Sequence, residues 1–505
     1  MTKKLFLLFS VLIATLALTA QPKADINELD NVFAKTYDDF KMSGLSIGII
    51  KDGETVFSKG YGYLEYGKDR KVDDQTIFEI ASCTKAFTAC AIGILVDEGK
   101  LNWDDRVIDH LPGFQLYDPY VTRELRIIDL LCHRTGFNTF DGDLLWYGTN
   151  YSRKEVVERI RYMPLKNSLR MKYGYSNVMF ITAGEVIESV TGKTWDEFVT
   201  ERIFKPLGMN STRTTNTVFT KEANKALPHL DRKPMDFINY DNAGPAASIN
   251  SNIADLLKWT QMWLNGGTYE GKEIISKKTY ETITSSQMAL PVRGSQKALG
   301  IDFSDYGLGW SLFEYEGKKV ITHNGGLPGF LSKVAFVPEL NLGIVILYND
   351  MSYILEAAMF TILDSYLKGV PGDHLTKLKD QMNKYADKTE EENDKRTAEK
   401  IPDTKPSLGL NEYAGKYTDK MYGEAEIKLT DDRLILTLLP TKELFTAELI
   451  HWNYDAFDFA FKDPFLPRGF ATFEIDHSGN VTGFKIDLPN PDFHFYNLHF
   501  IKKAE

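Results

Sequence analysis

The chain is 505 residues long, carries a formal charge of −11 and has no Lys/Arg-rich cluster, so nucleic-acid binding is not expected. Three cysteines are too few for a disulfide framework, and with no Cys/His cluster of metal spacing and no His-Glu-x-x-His motif a metal mechanism has no ligands; no cofactor is expected. A chain of this length has ample residues for a large core and predicts two domains.

Residues 1–20 read as a secretory signal peptide: Lys3 and Lys4 precede an apolar run from Leu5 to Thr19, with Ala20 before Gln21. The run is too short to span a bilayer comfortably. A secreted, periplasmic protein without a stable membrane span is expected, and loss of the two lysines takes the mature charge to −13. Asp25 to Lys41 has apolar positions at helical spacing. Leu45 to Ile50, an Asp52-Gly53 turn and Thr55 to Gly62 read as a hairpin. Its first strand contains Gly44-Leu-Ser-Ile-Gly48, a match to the Gly-x-Ser-x-Gly nucleophile elbow. That elbow needs a strand before the serine and a helix after it, and here the order is reversed.

From Ser82 to about Trp263 the pattern is mostly helical, with helices from Met179 to Val190, ending at Gly192, and from Trp195 to Phe204, ending before Pro206. Strands return at Gly307 to Tyr315, Lys318 to Thr322, Leu331 to Val337 and Gly343 to Tyr348, and a helix from Tyr353 to Lys368 is expected to cover one face of their sheet. The fold class of residues 21–372 is therefore α+β, an antiparallel sheet flanked by helices with a helical subdomain. Residues 373–409 turn to Lys, Glu, Asp and Thr and read as a charged helix and linker. In residues 410–505, short alternating strands at Glu424 to Thr430, Leu434 to Leu438, Ala456 to Phe461, Ala471 to Ile475 and Val481 to Asp487 predict a small all-β barrel or sandwich. His451, His477, His494 and His499 are spread over its strands and turns and are read as structural.

Ser82-Cys83-Thr84-Lys85 puts a hydroxyl and an amine three residues apart where a helix begins. At that spacing both side chains lie on one helical face, so the Lys85 amine can reach the Ser82 oxygen, a poor nucleophile without such a partner. The helix start also aims backbone N–H groups at the reacting centre. A second Ser-x-x-Lys, Ser365 to Lys368, falls mid-helix, where the hydroxyl is expected to bond a carbonyl one turn back. Tyr175-Ser176-Asn177 stands just before a helix, where a phenol beside Lys85 could share its proton traffic; Tyr240-Asp-Asn242 has the same pattern without the helix. His323-Asn324-Gly325-Gly326 follows the strand from Lys318. There a donor-bearing side chain on an edge strand can hold the acyl side of a substrate, and the N–H of Gly326 with that of Ser82 can form an oxyanion hole. His477-Ser-Gly479 repeats that pattern in a turn of the last domain. Phe137, Trp146, Tyr147 and Phe330 fit either an apolar pocket or ordinary core.

In the order Ser82-Lys85, Tyr175-Asn177, His323-Gly325, these motifs are specific: over residues 27–370 the chain resembles the penicillin-recognising serine hydrolases, which include class C β-lactamases, D-alanyl-D-alanine carboxypeptidases, D-aminopeptidases and related esterases. Leu130-Leu-Cys-His-Arg-Thr-Gly136, Phe204-Lys-Pro-Leu-Gly-Met209, Ala243-Gly-Pro-Ala-Ala247 with Asp255, and Gly325-Gly-Leu-Pro-Gly-Phe330 are further landmarks, and residues 410–503 are similar to the β-rich domain of unknown function that often trails such hydrolases. The resemblance implies a β-lactamase/transpeptidase-like fold and an acyl-enzyme on Ser82. It implies Lys85 and Tyr175 as the proton-transfer pair with the base unassigned, Asn177 orienting lysine and substrate amide, and Gly326 completing the oxyanion hole. His323 takes a position often held by lysine, which weakens the case for a carboxylate-bearing substrate, since histidine is largely neutral at pH 7. The expected partner is a small amide, ester or D-amino-acid peptide, cell-wall-derived substrates included. The alternative is a catalytically slow or silent penicillin- or peptidoglycan-binding sensor.

Overall fold

The computed structural model describes residues 22–352, 354–381 and 399–504; the expected signal peptide, Tyr353 at the start of the last sheet-covering helix, and the centre of the charged linker lie outside them. The first helix, α1 (Ile26–Asp39), starts at Asp25, whose carboxylate accepts from the backbone N–H groups of Asn27 and Glu28. The hairpin follows as β1 (Gly44–Lys51) and β2 (Glu54–Gly62). The sheet resumes with β3 (Met288–Leu290), β4 (Ser304–Tyr306), β5 (Ser311–Tyr315), β6 (Lys318–Leu327), β7 (Phe330–Val337) and β8 (Leu342–Tyr348). All neighbours are antiparallel, in the order β2-β1-β8-β7-β6-β5-β4-β3. The unbroken apolar run of β8 suits its central place, with both faces covered.

One face of the sheet is covered by α1 and the helix Ile354–Lys368, whose Phe33, Met359 and Ile362 join Ile47, Ile344 and Ile346 in one core. Against the other face lies the helix α4 (Ile253–Leu264); the buried helix α2 (Thr84–Asp97) stacks Phe87 on its Trp259 (3.8 Å), and the helix α3 (Asn177–Thr191) packs on α2. α3 ends at Gly192 in the left-handed region (φ 70°). The elbow-like motif of β1 is explained by this packing. Ser46 is buried and donates to Asp73 O (3.3 Å), and a Cβ on Gly48 would stand 2.5 Å from Ile253 Cγ2, so the glycine admits α4 to the sheet. The helix expected over Trp195 to Phe204 is instead an α turn (Trp195–Val199), a π turn (Thr200–Phe204) and a short helix (Lys205–Leu207). Pro206, directly after a run of helical residues, has no N–H to bond back to the preceding turn, and Gly208 (φ 65°) ends the run. Ser365 donates to Thr361 O (3.0 Å), as a mid-helix serine should.

Residues 415–502 form a closed antiparallel barrel of eight strands: Gly415–Asp419, Gly423–Thr430, Arg433–Leu438, Thr446–Asn453, Ala456–Phe459, Gly469–Ile475, Val481–Asp487 and His499–Lys502. Pairing of Tyr417 with Lys502 closes it, so no edge is left open. Its interior is filled by aromatic rings, Phe484 lying 5.0 Å from Tyr417 and 4.8 Å from Phe500. The barrel docks on the helical side of the first domain through Tyr147, Asn150, Tyr151 and Arg159.

Candidate active site

A two-residue strand, Phe78–Glu79, pairs with Asn250–Ser251, and the Ile80 N–H bonds Ile249 O (2.9 Å), which delivers the chain to a 3₁₀ turn at Ala81–Cys83 running into α2. Ala81 is held in the left-handed region (φ 46°), a strained conformation for a residue with a Cβ, directly before Ser82. The turn lies against β6 because Gly325 has no side chain: a Cβ there would meet Ile80 O at 2.1 Å and Ser332 Oγ at 2.2 Å. Ser82 is half-buried, whereas Lys85 is fully buried, one turn on.

Lys85 Nζ lies 3.0 Å from Ser82 Oγ, 2.6 Å from Asn177 Oδ1 and 2.9 Å from Ala246 O. Burial pulls its pKa down to about 7. A neutral amine has two hydrogens and one lone pair. Asn177 Oδ1 and Ala246 O can accept both hydrogens, which leaves the lone pair facing the Ser82 hydroxyl. Asn177, the first residue of α3, is oriented by its own Nδ2, which donates to Asp143 Oδ2 (2.6 Å). Burial pushes the Asp143 carboxyl up to about 7, against the pull of the Trp146 indole, Asn177 and Lys85.

Tyr175 lies beside both groups: the Lys85 amine is 4.7 Å from its ring centre, and its phenol adjoins the Ser82 hydroxyl. Burial raises the phenol well above its ordinary value. Of the two members of the pair, only the amine is therefore poised to take a proton near neutral pH.

His323 departs from the expectation in two respects. It lies inside β6, an interior strand, and not at the end of an edge strand. β5 pairs with β6 only as far as Thr322, however, so from His323 to Leu327 the strand has an open edge after all. The second difference concerns the imidazole. The Ser176 N–H donates to His133 Nδ1 (3.0 Å), which puts the His133 proton on Nε2, beside Tyr306 Oη (3.2 Å). Tyr306 can then donate to His323 Nε2 (2.8 Å), leaving the His323 proton on Nδ1, which is given to Asn324 O (2.6 Å). Burial, with Lys85 adding to it, lowers the His323 pKa to about 3, and burial likewise drives His133 well below its ordinary value. His323 thus offers the cleft neither a spare N–H nor a positive charge. Both its hydrogen bonds go to its own protein.

The structure brings Ser82, Lys85, Tyr175 and Asn177 together, with Gly325 beneath the Ala81–Cys83 turn and Gly326 next along the open stretch of β6. His133, Asp143, Tyr306 and the Ala246 carbonyl complete the constellation without having been singled out as site residues. His133 and Ala246 stood within recognised landmarks, whereas Asp143 and Tyr306 carry no local pattern. Phe137, Trp146, Tyr147 and Phe330 are all buried. Among the described residues, no group of three or more His, Cys, Asp or Glu is placed to hold a metal ion, and no helix is long and apolar enough to cross a membrane. Cys83, Cys90 and Cys132 are free and buried.

Comparison with known proteins bears on this arrangement. The beta-lactamase family model matches residues 29–359, and DUF3471, a domain of unknown function, matches residues 399–502. The unguisins hydrolase ungD' of Aspergillus campestris is 29% identical over 442 residues, covering 81% of this chain and 79% of that protein. Protein flp of Staphylococcus aureus (strain MW2) is 28% identical over 331 residues, 64% of this chain and 62% of its own length. The octameric penicillin-binding protein homologue of Pyrococcus abyssi superposes with a TM-score of 0.61 at 22% identity, over 95% of this chain and 100% of that one. The D-amino acid amidase of Ochrobactrum anthropi SV3 has a TM-score of 0.53 at 23% identity, over 70% of this chain and 99% of its own. At these identities the two solved structures show a shared fold.

Proposed function

Because the chain belongs to the beta-lactamase family of hydrolases, we propose that it is a serine hydrolase that forms an acyl-enzyme on Ser82 from small amides or esters, D-amino-acid peptides among them. The observation that carries this reading is the hydrogen-bond arrangement at Lys85, whose lone pair is left for the Ser82 proton. Ser82 Oγ attacks the substrate carbonyl carbon as its proton passes to Lys85 Nζ. The oxyanion is held by the N–H groups of Ser82 and Gly326. Collapse breaks the C–N or C–O bond, the leaving group takes the proton from Lys85 by way of the Tyr175 phenol, and the acyl group stays on Ser82. Water then attacks the ester, its proton goes to Lys85, and Ser82 leaves with that proton as the acid departs.

A neutral His323 with both nitrogens engaged favours substrates without a carboxylate at that end of the cleft. The name of the unguisins hydrolase agrees with hydrolysis, and that of the D-amino acid amidase with amide cleavage. The resemblance of residues 1–20 to a secretory leader supports a site of action outside the cytoplasm. Steady-state assays on p-nitrophenyl butyrate, on D- and L-amino-acid p-nitroanilides and on a D-alanyl-D-alanine peptide test the proposal. Turnover is expected for members of the first two classes, is lost in Ser82→Ala, and is at least about tenfold weaker on the free carboxylate. Turnover that survives in Ser82→Ala, or preference for the peptide acid, contradicts it.

A further inference from the structure

The barrel does more than trail the hydrolase domain. One short loop, residues 138–147, holds both arms of the catalytic pair. Its Phe140 N–H donates to Tyr175 O (2.7 Å), and Thr139 Oγ1 accepts from the Tyr175 N–H (3.2 Å). Three residues on, Asp143 holds Asn177, which holds Lys85. The loop makes a strained turn between these two grips, with Phe140 at φ 66°. A loop with a residue in that conformation keeps its shape only where its surroundings fix it.

Part of what fixes it comes from its own domain, through Asn167 and Tyr240, and part from the barrel. Asp141, fully buried, stands between the two grips. Its Oδ2 accepts from the Asn138 N–H (2.8 Å), and its Oδ1 receives His494 Nδ1 (3.2 Å) and Asn497 Nδ2 (3.4 Å) from the barrel. His494 Nε2 faces Pro491 O (3.2 Å), so both ring nitrogens face acceptor oxygens, the arrangement of an imidazolium. Burial works against that charge, but the Asp141 carboxylate outweighs it and holds the His494 pKa above its ordinary value. At the far end of the loop, Tyr147 donates to Asp463 Oδ2 (2.7 Å), and its ring lies 3.9 Å from that of Phe493. Three residues further, the Asn150 N–H donates to Pro440 O (2.9 Å). The loop is clamped on both sides of Asp143 by one closed, aromatic-filled barrel.

We infer that the barrel is a positioning element of the active site, with His494 the residue that, through Asp141 and the 138–147 loop, sets Tyr175 and the Asn177–Lys85 pair against Ser82. The inference rests on the acyl-enzyme reading of Ser82. His494 touches neither substrate nor reacting atoms; it acts through Asp141.

The test uses the full chain and two readouts: the rate of fluorophosphonate labelling followed by intact mass, and kcat and KM on p-nitrophenyl butyrate, each per folded molecule as measured by circular dichroism. His494→Ala is expected to lower the labelling rate and kcat together, by about 10- to 100-fold, the scale on which small misplacements of catalytic groups act, with KM little changed. His494→Gln, whose amide can still donate to Asp141, should recover most of the rate. Tyr147→Phe, which removes the bond to Asp463, provides a second variant should His494→Ala not fold, and should move kcat in the same direction. A lower melting temperature with unchanged labelling and kcat would overturn the inference, since the barrel would then only stabilise. A change confined to KM would also overturn it, by making the barrel a wall of the cleft. If the wild type takes no label at all, the acyl-enzyme reading itself fails and this inference goes with it.

Discussion

Lys85→Met is expected to slow acylation of Ser82 about 1,000-fold, the scale of a general base removed from a positioned pair. Methionine fills much of the same buried volume but has no proton to exchange, so Ser82 keeps its hydrogen and attacks only weakly. The Tyr175 phenol cannot stand in, because burial raises it well above its ordinary value. The wild-type pH profile is expected to carry the same signature. Lys85 accepts a proton only when neutral, and its pKa of about 7 makes the rate rise through neutral pH and then level off. Asp143 titrates in the same range and is linked to Lys85 through Asn177, so the limb belongs to the pair and not to one residue. The negative charge of Asp143 raises the Lys85 pKa, so Asp143→Asn should move the limb to lower pH. Stopped-flow or quenched labelling between pH 5 and 9 checks both points. A Lys85→Met rate within tenfold of wild type, or a flat profile, contradicts the assignment of Lys85 as the base.

Asp129→Leu is expected to cost about 2–3 kcal/mol of stability, because the carboxylate is fully buried and hydrogen-bonded to charged groups while its two arginines still reach solvent. The Asp129 carboxylate is fully buried, and it receives Arg134 Nε (2.6 Å), Arg170 Nη2 (2.6 Å) and Nε (3.0 Å), and the Arg126 N–H (3.0 Å). Its loss takes the shared acceptor from two partly exposed guanidinium groups, which keep their bonds to Gln287 O and Glu124 O, and from the Arg126 N–H. These arginines flank the chemistry. The Arg170 N–H bonds Arg134 O (2.7 Å), and the Gly174 N–H bonds His133 O (2.8 Å), so the ion cluster ties the segment before His133 to the one before Tyr175. A lower thermal midpoint should therefore come with lower activity of the folded fraction, the former measured by calorimetry and the latter by labelling. A loss below about 1 kcal/mol, the ordinary scale of an exposed pair, would show that the cluster does not hold the two segments.

The parts of this protein that could be read in the sequence are those in which chemistry and periodicity coincide over a few residues. Ser82 and Lys85 lie one helical turn apart, and a hydroxyl and an amine at that spacing meet whatever the rest of the chain does. The apolar run of β8 and the glycine after α3 are similarly local. The barrel strand Thr446–Asn453 escaped notice because after Leu449 its alternation inverts, with the apolar Ile450 and Trp452 at outward positions and the polar His451 and Asn453 at inward ones, and closure of the barrel, not periodicity, makes it a strand. His323 shows the other kind of limit. Its position was legible, but which nitrogen bears its proton depends on Tyr306, His133 and the Ser176 amide, which only the fold brings to it. Asp143 stands 34 residues from Asn177 with nothing in its neighbours to announce it. The grip of His494 on Asp141 spans 353 residues and two domains.

The most direct measurement is the intact mass of wild type and Ser82→Ala after exposure to a fluorophosphonate. A single adduct on the wild type and none on Ser82→Ala is the predicted result and makes Ser82 the nucleophile. An equal adduct on both proteins, or none on the wild type, would contradict the account at its centre.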